Sequence, residues 1–124
     1  MQKYLFVSLG AVLGASARYW VGGWAAEHLG ADFPYGTLIV NLSGSFLLGL
    51  FLTLTTQRFL IDPRLRLLIA VGFFGSYTTF SSYTNESLNL LLGGASWQGL
   101  LNLLGSALLG TLAALLGVWV GRML

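Results

Sequence analysis

Gly72-Phe73-Phe74-Gly75-Ser76-Tyr77-Thr78-Thr79-Phe80-Ser81-Ser82-Tyr83 interrupts a long apolar stretch with glycine and hydroxyl residues. Apolar flanks run from Leu65 before it to Leu92 after it, so the interruption falls near the centre of a bilayer that the stretch crosses. A non-helical backbone at that depth exposes carbonyl and N–H groups that lipid cannot satisfy. Such groups are tolerated only where they are buried in protein, line a watery path or bind an ion. The stretch therefore points to ion handling.

Composition places the rest of the chain in the same setting. The 124 residues are 56% hydrophobic and 8% charged, with a mean hydropathy of +0.78, whereas soluble domains carry about 25% charged residues. A helix needs about 20 residues to span the hydrocarbon core, so the length accommodates roughly four spans and no soluble domain. The expected architecture is one all-α transmembrane domain, residues 1–124, with spans at 4–26, 36–56, 65–92 and 100–120. The third is long enough to be broken near mid-membrane or strongly tilted. Cysteine is absent, which excludes disulfides and thiolate metal sites. The basic pI of 9.3 rests on residues at the membrane edges and is no nucleic-acid footprint. Lys3, the apolar run after it and Ala15-Ser16-Ala17 imitate a signal peptide, but a retained first span is the better reading.

The basic residues sort by side. With four spans, Lys3, Arg58, Arg64, Arg66 and Arg122 lie at one face of the membrane, while loops 27–35 and 93–98 carry neither Lys nor Arg. The positive-inside rule then puts both termini in the cytoplasm. Arg18, inside the first span, is the exception.

Polar residues within the spans form stripes. Thr37, Asn41 and Ser45 share a face of the second span, and Asn102, Ser106 and Gly110 a face of the fourth. Phe80, Tyr83 and Glu86 follow one another along the second half of the third. Small and hydroxyl residues at such spacing commonly serve helix packing, and Gly10/Gly14 and Gly117/Gly121 fit that role. Asn41 is a costlier residue to place in mid-span. These stripes supply hydrogen-bond donors but little charge, which suits a small, strongly hydrated anion whose water must be replaced by N–H and O–H groups. The positive edges of the Phe80 and Tyr83 rings add a second attraction.

Three segments resemble CrcB/Fluc fluoride channels: Gly10-Ala11-Val12-Leu13-Gly14-Ala15-Ser16-Ala17-Arg18-Tyr19, Gly36-Thr37-Leu38-Ile39-Val40-Asn41-Leu42-Ser43-Gly44-Ser45-Phe46 and the stretch from Gly72 to Ser82. The resemblance implies an antiparallel dual-topology dimer in a prokaryotic plasma (inner) membrane. It implies two narrow fluoride pores that confer fluoride resistance, and a structural sodium ion at the dimer centre. Backbone carbonyls of Gly75 and Thr78 would hold the sodium. Asn41, Phe80, Tyr83, Ser106, Thr37, Thr79 and Glu86 would border the anion path. Tyr83 stands where the family usually has Phe, which adds a hydroxyl that either competes for the ion or donates to it. The one-sided basic residues leave two assemblies open, a homodimer, which is favoured, or pairing with an oppositely oriented sister subunit.

Other classes fit less well. A four-span multidrug or cation exporter wants an acid in the first span for proton coupling, and the only intramembrane acid is Glu86 in the third. An enzyme would have to be built around His28, the sole histidine, expected in a loop beside Glu27 and Asp32. One loop histidine assembles neither a metal site nor a nucleophile–base pair. A purely structural subunit would need only the packing motifs.

Overall fold

The computed structural model describes residues 1–124, and its regular structure is helix alone. Helix α1 (Gln2–Leu29) is stopped by Gly30, whose φ of 88° favours a residue without a side chain. Helix α2 (Tyr35–Gln57) starts directly after Pro34, which cannot continue a preceding helix and is readily placed at a helix entrance. The next start is built by Asp62, whose carboxylate accepts from the Arg64 N–H at 2.8 Å, with Pro63 at the first helical position.

Helix α3 then runs through an α-turn at Pro63–Arg66, a wide-wound π stretch at Leu67–Phe74 and a last turn at Gly75–Tyr77. Winding stops there. Thr78 (φ −84°, ψ 157°) and Thr79 (φ −150°, ψ 120°) are extended, and helix α4 resumes at Phe80–Leu92. Gly94, at φ 87°, turns the chain into α5 (Ser96–Met123), whose second turn is again π-wound at Leu101–Gly105. Helices α1, α2 and α5 are each long and apolar enough to cross a membrane, with hydropathies of 1.3, 1.9 and 2.0. The protein is therefore a multi-pass membrane protein.

Its interior is inverted relative to a soluble domain. Only 16 of 124 residues are buried, and the largest fully buried side chains are Val40, Asn102 and Ser87, while leucines and tryptophans cover the outside. Lipid is as apolar as leucine, so nothing drives large side chains inward, and helices meet through small residues and hydrogen bonds. Helix α2 lies along α5, and α1 along α3. A Cβ on Gly10 or Gly14 would fall on the carbonyl oxygens of Leu68 or Phe73, and one on Gly117 on that of Phe46. Both glycine pairs are thus packing sites, with Gly121 seated against the Thr53 side chain. Several hydroxyls are satisfied inside their own helices: Thr53 donates to Gly49 O at 2.8 Å, Thr55 to Phe51 O at 2.8 Å and Thr111 to Ala107 O at 2.9 Å.

His28 is not in a loop. It occupies the last turn of α1, stacked on Trp24 with its Nδ1 at 2.9 Å from the Trp24 carbonyl, because α1 continues past residue 26. No cluster of three or more His, Asp or Glu side chains lies near it or elsewhere.

Candidate ion pathway at the helix interruption

The two extended residues between α3 and α4 are held from α2. Asn41 Oδ1 accepts from the Thr79 N–H at 2.7 Å, and Asn41 Nδ2 donates to the Thr79 carbonyl at 2.9 Å. One side-chain amide thus satisfies both polar groups of a peptide-bearing residue that has left helical geometry, as an apolar surrounding demands. The Thr79 N–H would bond the Gly75 carbonyl in an unbroken helix. Its diversion to Asn41 leaves that carbonyl without its usual donor. Thr79 also caps α4, its Oγ1 accepting from the Ser82 N–H at 3.2 Å.

Gly44, one turn after Asn41 on α2, makes room for the interruption. A Cβ there would overlap Thr78 Cγ2 and stand 3.1 Å from the Tyr77 ring. Beside it, Ser43 Oγ lies 3.0 Å from the Tyr77 hydroxyl.

The sequence-predicted residues fall into three groups around this point. Asn41 and Ser45 from α2, Thr79, Phe80 and Tyr83 from the interruption and α4, and Ser106 from α5 line one open cavity of about 510 Å³. Phe80 is 78% exposed and Tyr83 9%, with their rings 5.7 Å apart and inclined at 55°. The Tyr83 hydroxyl donates to the Leu103 carbonyl in the wide turn of α5. Asn41 Nδ2 makes one hydrogen bond, to the Thr79 carbonyl, and its second amide hydrogen has no protein acceptor.

Thr37 and Glu86 form a second group. Thr37 Oγ1 donates to Glu86 Oε1 at 2.8 Å, tying α2 to α4, while the buried Oε2 has no partner. They share a concavity with the loop after α1 rather than the cavity of Asn41 and Ser106. Gly75 belongs to the third, a shallow hollow between α1 and the interruption that Arg18 and Phe80 also line, and Thr78 borders both this hollow and the cavity of Asn41. The space beside Gly75 is open, with nothing within 4 Å of an added Cβ. Thr79 borders the cavity of Asn41, the hollow of Gly75 and a larger concavity of about 840 Å³ containing Arg18 and Thr37.

Sequence reasoning assigned no role to Ser87 and saw Asn102 only as a member of a stripe. Both are 1% exposed and hydrogen-bonded to each other at 2.9 Å. Ser87 follows Tyr83 by one helical turn, a spacing that was available as a signal.

These features define a small, multi-pass helical membrane protein whose polar side chains gather at an interrupted helix. Comparison with known proteins narrows the class. Residues 5–118 match the family described as CrcB-like protein, Camphor Resistance (CrcB). A protein of Sulfurihydrogenibium sp. named fluoride-specific ion channel FluC is 44% identical over 124 residues, covering 100% of both chains. Proteins of the same name from Synechococcus sp. and Koribacter versatilis are 47% identical over 94% of this chain and 90% of theirs, and 56% identical over 71% and 70%. The chain belongs to the CrcB family.

Proposed function

We propose that this protein is a fluoride-selective passive channel that lets fluoride leave the cell before it accumulates to toxic levels. The observation that carries the reading is the cavity uniting Asn41, Phe80, Tyr83 and Ser106 beside the interrupted helix, in a chain whose relatives bear the name of fluoride channels. Fluoride gives up water only if donors replace it, and this cavity offers an Asn41 amide hydrogen, the Ser45 hydroxyl and ring edges without a fixed positive charge that would trap the ion. The N-terminus of α4 adds the positive end of a helix dipole on the side of Thr79. The protein does no covalent chemistry and is a channel rather than an enzyme. Thr37 and Glu86 border the path where it opens beyond that cavity.

The third span, α3 with α4, is broken near mid-membrane in this reading, and the spans together form one transmembrane domain. The Gly75 carbonyl, released by the Asn41–Thr79 pairing, and the carbonyl of the extended Thr78 fit a hard monovalent cation. Neutral oxygens beside no carboxylate suit sodium better than a divalent ion. One chain brings too few oxygens, and the open space beside Gly75 supports completion of the site by a second, antiparallel copy. Sodium would then tie the copies together structurally. A homodimer of opposed orientations is the favoured assembly over pairing with a sister subunit, in the inner membrane of a prokaryote.

The test is reconstitution of the purified protein alone in liposomes, with efflux followed by fluoride and chloride electrodes. Fluoride should leave once a potassium ionophore shunts the voltage, and chloride should stay. Equal chloride efflux, or a flux that requires a proton gradient, rejects the channel and favours an exporter.

A further inference from the structure

A chain of hydrogen bonds joins α4 to α5 directly behind the cavity, and its direction is dictated at one end. Ser87 Oγ lies 2.8 Å from the Tyr83 carbonyl, an oxygen that only accepts, so the Ser87 hydroxyl must donate to it. Ser87 Oγ is then an acceptor towards Asn102, which turns the Asn102 amide so that Nδ2 donates to Ser87 at 2.9 Å. Asn102 Oδ1 in consequence faces Ser106, and the Ser106 hydroxyl donates to it at 3.0 Å. Flipping the Asn102 amide would set its Oδ1 against Ser87 Oγ with no hydrogen between them, because the Ser87 hydrogen is held by the Tyr83 carbonyl. Ser87 and Asn102 are 1% exposed and Ser106 9%, so water does not compensate for a lost partner.

Ser106 is the member that reaches the cavity. Its one hydrogen is committed to Asn102, so it turns only lone pairs towards an arriving ion, and lone pairs repel an anion. We infer that Asn102, oriented by Ser87, is a positioning residue that holds the Ser106 hydroxyl away from the anion path, so that Ser106 donates to an anion only by giving up its bond to Asn102. The inference rests on the fluoride-channel reading. The Ser106 hydroxyl is then a two-position donor, on Asn102 when the cavity holds no anion and on the anion when it does. The bond to Asn102 weakens binding in the cavity and prevents the ion from lodging there. Ser87 sets this balance without touching the cavity.

The experiment measures initial fluoride efflux from liposomes over a series of fluoride concentrations for wild type, Ser87→Ala and Asn102→Leu. Removing Ser87 Oγ frees the Asn102 amide to turn its N–H towards Ser106, and Asn102→Leu removes the acceptor altogether. Each change releases the Ser106 hydrogen. Both variants should reach half-maximal flux at about fivefold lower fluoride, the worth of one net hydrogen bond, with no rise in maximal flux. In a Ser106→Ala background the Ser87→Ala shift should vanish. Half-saturating concentrations equal to wild type in both variants would overturn the inference, as would a Ser87→Ala shift that persists with Ser106→Ala. Wild-type liposomes that release no fluoride at all would instead refute the channel reading on which it stands.

Discussion

Asn41 does two jobs through one amide, and the two can be separated by substitution. Asn41→Asp keeps the oxygen that accepts from the Thr79 N–H but replaces the donor, 2.9 Å from the Thr79 carbonyl, by a second acceptor. It also brings a negative charge into the cavity shared with Phe80 and Ser106. Charge repulsion of about 3 kcal/mol at an effective dielectric near 20 corresponds to roughly a hundredfold loss. Fluoride flux from Asn41→Asp liposomes should fall by that order while the protein still elutes as an assembled species. Unchanged flux would remove Asn41 from the path. Tyr83 makes the contrasting case. Its hydroxyl is engaged by the Leu103 carbonyl, so Tyr83→Phe should retain fluoride flux and lose about 1 kcal/mol of stability, read as earlier thermal unfolding in detergent. A collapse of flux with unchanged unfolding would mean that the hydroxyl meets the ion instead.

Where elements meet, the decisive contact is between α2 and the interruption. Gly44 leaves no space for a side chain because Thr78 Cγ2 and the Tyr77 ring fill it. Gly44→Ala should therefore push Thr78 away from α2, strain the Asn41–Thr79 pairing and reduce flux, at about 1–3 kcal/mol of overpacking. Thr78→Ser deletes the offending methyl group and keeps the hydroxyl that donates to the Phe74 carbonyl at 2.9 Å. The double variant should recover most of the flux and the unfolding temperature. Failure of Thr78→Ser to relieve Gly44→Ala would place the damage on the Tyr77 ring rather than on the extended backbone. The glycines between α1 and α3 work on the same principle, since backbone carbonyls of α3 occupy the positions where side chains would stand.

The assembly raises a question about orientation that charge alone answers one way and the proposed channel another. Lys3, Arg58, Arg64, Arg66 and Arg122 all favour one side, and at the exposed surface Arg58 donates to the Arg122 carbonyl at 3.3 Å and Arg66 to Thr56 Oγ1 at 3.4 Å. The chain has no cysteine, so single introduced cysteines report cleanly. Asp62 caps the start of α3 and Ser96 begins α5 just after α4, so Asp62→Cys and Ser96→Cys lie at opposite ends of the third-span region. In a dual-topology homodimer, an impermeant thiol reagent added to intact cells should label about half of each variant, because the two copies are opposed. Exclusive labelling of one position would refute dual topology. Sodium supplies the second check. Exchanging it for a large organic cation should dissociate or inactivate the dimer if the Gly75 and Thr78 carbonyls need it, and flux indifferent to complete sodium removal would exclude the site.

Helical class and membrane setting were legible in the chain because lipid, as the solvent, makes long apolar runs decisive and requires backbone hydrogen bonds to be closed within each element. The residue types of the candidate path stood out for a related reason: Asn41, Glu86 and the hydroxyl-rich stretch around Thr79 are costly among apolar neighbours. Spacing along one helix, however, tells which residues share a face and not which neighbour that face meets. Only the packed structure set Asn41 on both polar groups of Thr79, gave the Tyr83 hydroxyl to Leu103, paired Thr37 with Glu86 in a separate concavity and closed the Ser87–Asn102–Ser106 chain. The wide turns at Leu67–Phe74 and Leu101–Gly105 left no mark in the pattern of apolar residues. All of these partnerships except Asn102–Ser106 join residues distant in the chain, and their geometry depends on how closely the glycines let the helices approach.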